Sequence, residues 1–461
     1  MHSKIKLLSL MSCVAFAMQG CGDDDKPTAG APRQVANVNT AVYSAIRQNP
    51  AANQLFVATG AANVGDEPCD VKVHRMKYDT VGGAGEPATS SGVFMLPHGD
   101  DPRCSGPLPV LLYAHGTTPE KSYDLSQFIA DPTNAAASEA GLLLALYAAQ
   151  GYAVIAPNYA GYADSSLDYH PYFDEAQQTA EMMTALDHVR EYADMLGANL
   201  SSELFVTGLS QGGYVAMATH KALEASGETV TASAPMSGPY AMLDFVDTVM
   251  AGYVNGGATI FAPLVLTALE KSADIYDDPA EVYAEPYAAI AETALPRIGG
   301  FAASGLPNAL FSGEPPANAN ALNAMGFGDD YLLADAFRLR YLTDLQTHPT
   351  EPAYKVRALF KEADLRDWQP QAPVLMCGAA NDPVVYHMNA DKMAEYWAPL
   401  VSAGLVTNLD LTATPAGPYA AAMGAFQMAG LGIADIHAST GIYCSLANLG
   451  FFGAVRAMQA Q

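Results

Sequence analysis

Apolar residues fall along the chain in two alternating patterns, continuous short runs and helical periodicity. β-prone residues occupy 71–78 and 93–96, and Gly82-Gly83-Ala84-Gly85 lies between them, which predicts a strand pair joined by a Gly-rich turn. Leu108-Pro109-Val110-Leu111-Leu112-Tyr113-Ala114 is almost wholly apolar, as expected of a strand covered on both faces. A helix is predicted over 136–150, another buried strand over 152–157, a long helix over Glu175–Leu196 and a short strand over 204–207. Strand and helix in alternation imply a parallel sheet with right-handed crossovers, an α/β core.

That regularity breaks after Ser237. From 240 to 367 the chain holds Ala-, Tyr- and Met-rich helical stretches, including 260–275 and 279–295, separated by Gly- and Pro-rich loops. A strand signal returns at Pro373-Val374-Leu375-Met376, a last strand is expected over 406–412, and a helix over 417–430. The segment 240–367 therefore reads as a helical insertion within one sheet domain. No internal repeat is visible.

Composition narrows the function classes. The 461 residues include 48 Asp and Glu against 22 Lys and Arg, a net charge of −26. With no basic stripe to release counterions, binding to phosphate backbones or anionic lipid is excluded as a function class. Charged residues make up 15% and hydrophobic residues 50%, so the chain has a sizeable core to bury.

Lys4 and Lys6 precede an apolar run over 7–18, which is shorter than the roughly 20 residues a membrane span needs and has the form of a secretory signal peptide over 1–20. Gly20-Cys21 resembles the end of a bacterial lipobox, which implies acylation of Cys21, although Met18 and Gln19 depart from the usual pattern. The chain is thus expected to be exported, anchored in a bacterial cell envelope only through Cys21. Residues 21–40, with Asp23-Asp24-Asp25, read as a solvated tether rather than a metal site, because no ligands return at a spacing that closes a shell. Export also governs the remaining cysteines. Cys69, Cys104, Cys377 and Cys444 permit three pairings in an oxidising compartment. The favoured one is Cys69–Cys104, flanking the predicted hairpin, with Cys377–Cys444, flanking the candidate catalytic residues. No Cys/His spacing suggests zinc.

The strongest chemical signal is Gly208-Leu209-Ser210-Gln211-Gly212-Gly213, between the 204–207 strand and a predicted helix at 214–223. Only small neighbours allow so sharp a strand-to-helix turn, which would leave the Ser210 hydroxyl exposed at the positive end of the helix dipole. A serine hydroxyl needs a base to become a nucleophile. Downstream, His348 falls in the insertion and His387 at a helix start, whereas His437 follows the last strand and its helix, where the base stands in the chain order serine, acid, histidine. Asp382, in the loop after the 374–376 strand, is the expected acid, with Asp410 and Asp435 as fallbacks. The competing role for Asp382 is a simple turn or cap before Pro383. The oxyanion donors are expected to be the backbone N–H groups of Gln211 and Thr117, with Gly116 or Thr118 as alternatives to the latter.

On His115-Gly116-Thr117, the Ser210 turn, Asp382 and His437, the chain resembles an α/β-hydrolase over about 70–450. Ala156-Pro157-Asn158-Tyr159-Ala160-Gly161-Tyr162 and His170-Pro171-Tyr172 are similar to bacterial relatives of the secretory lipase and esterase family. The resemblance implies a mostly parallel central sheet flanked by helices, with a helical lid inserted after the sixth core strand. The core would then span 41–239 and 368–461 around a lid at 240–367. It further implies a carboxylic ester hydrolase that works through an acyl-enzyme on a small-molecule or lipid ester, without metal or organic cofactor. Two rival readings use the same residues. One is a serine peptidase of the prolyl-oligopeptidase type, for which the segment before the first strands is too short to supply a propeller. The other is a non-catalytic envelope binding protein on a hydrolase scaffold.

Overall fold

The computed structural model describes residues 30–39 and 68–459. The expected signal peptide, Cys21 and Asp23–Asp25 lie outside them. Nine strands form one sheet: β1 (Gly30–Val38), β2 (Asp70–Val81), β3 (Pro87–His98), β4 (Leu108–Ala114), β5 (Ala153–Pro157), β6 (Leu200–Leu209), β7 (Ala232–Met236), β8 (Val374–Gly378) and β9 (Val406–Asp410). Their order is β1-β2-β3-β5-β4-β6-β7-β8-β9. The β1/β2, β2/β3 and β3/β5 pairs are antiparallel, and every pair from β5/β4 to β8/β9 is parallel. The longer helices are α1 (Ala137–Leu146), α2 (Glu175–Leu196), α3 (Gln211–Ala225), α4 (Met242–Met250), α5 (Ala258–Ala273), α6 (Asp335–Thr347), α7 (Lys355–Glu362), α8 (Met388–Tyr396), α9 (Ala420–Met428) and α10 (Ile436–Gln459). A mostly parallel sheet flanked by helices in this order is the α/β-hydrolase fold.

Strands β4, β5, β7 and β8 are buried along their whole length, which is why continuous apolar runs mark most of them. Strand β7 is the exception in sequence. Ala232-Ser233-Ala234-Pro235-Met236 has little β propensity, and it becomes a strand because β6 and β8 pair with it on both sides. Residues 30–38 correct the reading of 21–40 as tether throughout: they pair with β2 as an edge strand, where Pro32 is tolerated.

The insertion lies between β7 and β8; leaving aside the added edge strand β1, β7 is the sixth strand. Among the described residues of 240–367 there are helices, turns and isolated bridges but no ladder strand. The predicted helix at 260–275 is α5. The predicted helix at 279–295 is instead broken into short turns at Pro279–Glu281, Tyr287–Ala289 and Ala291–Ala294. Pro286 interrupts it by removing a backbone donor and disfavouring helical geometry at Glu285. A fully buried Arg357 on α7 ties the insertion together. Its guanidinium holds both oxygens of Asp247 on α4, at 2.8 and 2.9 Å, reaches Asp344 on α6 at 3.2 Å, and donates to the carbonyls of His348 and Pro349.

Candidate active site

Ser210 stands between β6 and α3 with φ 63° and ψ −120°, a backbone conformation that non-glycine residues rarely hold. Its N–H donates to Met236 O at 2.9 Å, across to β7. A Cβ at Gly208 would collide with the carbonyls of Gly212 and Ala114, and one at Gly212 with Ala114 again, so glycine is required at both ends of the turn. Such strain is retained where surrounding structure over-determines it, and it concentrates at functional sites.

Asp382 and His437 meet at the same edge of the sheet. His437 Nδ1 lies 2.7 Å from Asp382 Oδ2. The Asp382 side chain is 1% exposed, and its other oxygen accepts the backbone N–H groups of Val384 (2.9 Å) and Val385 (3.2 Å). A carboxylate facing Nδ1 keeps the ring proton there and leaves a basic lone pair on Nε2. His437 occupies the first turn of α10. One turn further along that helix, Gly441 packs so tightly on Leu209 that a Cβ would collide with the leucine, which holds the helix against the Ser210 turn. Among the described residues no hydrogen bond joins Ser210 Oγ to His437; such bonds are often long without substrate and tighten when it binds.

Both favoured disulfides are formed, with Cα–Cα distances of 5.3 Å for Cys69–Cys104 and 5.7 Å for Cys377–Cys444. The second bonds the strand before Asp382 to the helix that carries His437. The alternative acids and bases lie elsewhere. Asp410 accepts from the N–H of Ala380 and Thr412 and from the Thr412 hydroxyl, bracing the end of β9. Asp435 is exposed. His387 faces Asp391 at 3.6 Å, and His348 lies half-exposed in the insertion.

The loop after β4 lies beside the serine, since a Cβ on Gly116 would stand 4.0 Å from Ser210 Cβ. Gly116 is not free to serve as an oxyanion donor: its N–H donates to Glu139 Oε1 at 3.2 Å. The Thr117 hydroxyl is 2.7 Å from that of Tyr172. Gln211 is the first residue of α3, so its N–H has no intrahelical acceptor.

Three further features had no role assigned from sequence. His115 is fully buried, its ring nitrogens facing the carbonyls of Gly116 (2.7 Å) and Asn158 (3.0 Å), and burial lowers its pKa. His170 is buried as well, 2.8 Å from Ala160 O through Nδ1 and 2.6 Å from the Gln211 side-chain nitrogen through Nε2. Burial pushes its pKa down to about 3. The only sequence signal for His170 was its place in His170-Pro171-Tyr172. The third feature is a pocket that opens from Ser210 and Gln211 into the insertion, walled by apolar faces of α4 and α5 such as Met242, Val246, Ala258, Phe261 and Val265. On α5 those residues recur at the spacing of one helical face. Among the described residues no cluster of His, Cys, Asp or Glu could hold a metal ion, and no helix is long and apolar enough to cross a membrane.

A strained serine at a strand-to-helix turn, at the carboxyl edge of a mostly parallel sheet that also carries a His–Asp pair, is the arrangement of an α/β-hydrolase. Solved structures agree at the level of fold. A ligand-bound form of the rice cell wall degrading esterase LipA from Xanthomonas oryzae matches with TM-score 0.69 and 26% identity, over 91% of this chain and 97% of that one. Another structure of the same esterase matches with TM-score 0.66 and 27% identity, over 83% and 91%. A structure from Legionella pneumophila shares the fold with TM-score 0.69 at 17% identity, over 92% of this chain and 97% of that one. No protein-family model matches the chain, and no curated protein matches it.

Proposed function

We propose that the protein is an exported serine carboxylic ester hydrolase. The observation that carries this reading is the 2.7 Å contact of His437 Nδ1 with the buried Asp382 carboxylate, at the same sheet edge as the strained Ser210. Ser210 Oγ attacks the ester carbonyl as its proton passes to His437 Nε2, and the imidazolium is stabilised by Asp382. The oxyanion is received by the N–H groups of Gln211 and Thr117, each such donor being worth roughly 3 kcal/mol. The imidazolium proton then goes to the departing alkoxide. Water, deprotonated by His437, attacks the acyl-enzyme and returns the free acid and Ser210.

The pocket beyond Ser210 supports an apolar acyl group, because its walls in α4 and α5 offer almost no hydrogen-bonding partners. In this reading 240–367 is a lid that supplies the acyl site. The similarity to esterases supports ester rather than amide cleavage. Attachment to the envelope through Cys21 follows from the Gly20-Cys21 pattern alone.

The test is turnover of p-nitrophenyl esters from C2 to C16 by the purified protein and by Ser210→Ala. Hydrolysis rising with chain length before it falls, and abolished by the substitution, is expected. Full activity in Ser210→Ala would refute the assignment, and a preference for aminoacyl amides would replace esterase by peptidase.

A further inference from the structure

The loop between β5 and α2 holds both sides of the proposed oxyanion hole at once. Tyr159 donates its hydroxyl to His115 O at 3.2 Å, and Tyr162 donates to Thr118 O at 2.8 Å. The Tyr172 hydroxyl pairs with that of Thr117 at 2.7 Å. On the other side, His170 meets the Gln211 side chain at 2.6 Å. The rings form a stack: His170 lies 5.5 Å from Tyr159 at an interplanar angle of 15°, and Tyr159 lies 4.1 Å from His115 at 29°.

The hydrogen-bond sense at His170 is dictated by chemistry. A carbonyl only accepts, so Nδ1 must donate to Ala160 O, and Nε2 of the neutral ring must then accept a proton from the Gln211 amide. Gln211 Oε1 is buried and has no partner among the described residues. The His170 contact therefore decides where the Gln211 side chain points, at the first position of α3. The loop is itself rigidly defined. Tyr159, Ala163 and Phe173 hold positive φ values of 63°, 48° and 58°, and a Cβ on Gly161 would collide with Tyr169 O. Ala160 N–H is anchored at 2.8 Å by the buried Glu181 of α2.

We infer that the segment 158–172 is a clamp that sets the spacing of the two oxyanion donors, with His170 as the positioning residue for the Gln211 N–H. This rests on the esterase reading above, and deepens it by naming what aligns the hole. A hole widened by a fraction of an ångström binds substrate nearly as before but stabilises the transition state less, so the loss falls on kcat rather than KM.

The experiment compares His170→Phe, which keeps a ring in the stack and removes the acceptor, with His170→Gln, whose amide oxygen can accept from Gln211. Loss of an oxyanion donor costs about 100- to 1000-fold, and a misaligned one less. His170→Phe should lose about 10- to 100-fold in kcat with KM within about twofold. Its affinity for a trifluoromethyl ketone analogue should fall in parallel, and His170→Gln should recover most of both. Tyr172→Phe, which loses one hydroxyl and no packing, should show the same kcat-selective loss, and it carries the test should His170→Phe fail to fold. Unchanged kcat and analogue affinity in folded variants would overturn the clamp while leaving the esterase reading intact. An inactive unsubstituted protein would overturn both.

Discussion

Asp382→Asn is the sharpest test of the proposed charge arrangement, because it is nearly isosteric and its consequence can be worked from the contacts. Asp382 Oδ1 accepts two backbone N–H groups, from Val384 and Val385, while Oδ2 faces His437 Nδ1. In the asparagine variant the carbonyl oxygen keeps the two backbone donors, since an NH2 group there would oppose both. The NH2 group is then forced towards His437, where it can only donate. Nδ1 must present its lone pair, the ring proton moves to Nε2, and Nε2 can no longer take the Ser210 proton. The same tautomer exchange in a chymotrypsin-like triad lowers kcat about 10⁴-fold. The expected loss here is of that order, about 5.5 kcal/mol of transition-state stabilisation. KM and thermal unfolding should change little because no volume is lost. Steady-state hydrolysis of a p-nitrophenyl ester, alongside circular dichroism melting, measures both. A fall in kcat of less than about tenfold in a folded variant would refute the role of Asp382. Asp410→Asn is the comparison, and should cost little activity, since Asp410 braces Ala380 and Thr412 without touching the histidine.

Three other outcomes follow from buried groups. Arg357→Met leaves Asp247 and Asp344 without their cation inside the insertion and should destabilise it by about 3–5 kcal/mol, seen as a lowered calorimetric transition; an unchanged thermogram would show the pairing to be dispensable. Replacing Cys377 and Cys444 by alanine opens a link across a sequence separation of 67, worth about 4 kcal/mol in the chain-entropy account, and should lower kcat as well as stability by loosening Asp382 against His437; equal melting of the two proteins would contradict it. Acid should weaken the fold through a histidine that is buried in its neutral form. His170 has a pKa of about 3 when folded against 6.5 when exposed, so between these values the unfolded chain binds a proton that the native protein refuses. The contribution of this one group is nil above pH 6.5 and costs about 1.4 kcal/mol of stability per pH unit below it, down to about pH 3. Urea titrations at pH 7 and 4.5 should differ by about 3 kcal/mol from this group, and His170→Phe should flatten that slope.

Most of the sheet could be read from one-dimensional pattern because its strands are buried on both faces. β4 and α2 fall where apolar runs and helical periodicity put them, and the glycines at 208 and 212 mark the turn between β6 and α3. Elements that owe their form to neighbours were not legible. β7 is Ala- and Ser-rich, and β1 looks like tether until β2 pairs with it. α10 carries His437 in its first turn and contains Gly441, Gly450 and Gly453, which weaken any helical signal although tertiary packing sustains the helix. The site divides in the same way. The order serine, acid, histidine is a property of the chain, so Asp382 and His437 could be preferred over Asp410, Asp435 and His387. The service of His170 to Gln211 is a contact between residues 41 apart, and nothing in either local sequence announces it.

The insertion also bears on chemistry beyond the pocket it walls. Asn255 donates to Val384 O at 2.7 Å, Gly256 N–H donates to Pro383 O at 2.9 Å, and Asn323 donates to the Tyr386 hydroxyl at 3.1 Å. The Tyr386 hydroxyl in turn donates to Tyr253 O at 2.8 Å. All four contacts grip the residues directly after Asp382, the stretch whose N–H groups bind its carboxylate. On its other side the same loop is tethered to the His437 helix by the Cys377–Cys444 bond. The acid loop is thus suspended between the helical insertion and the sheet.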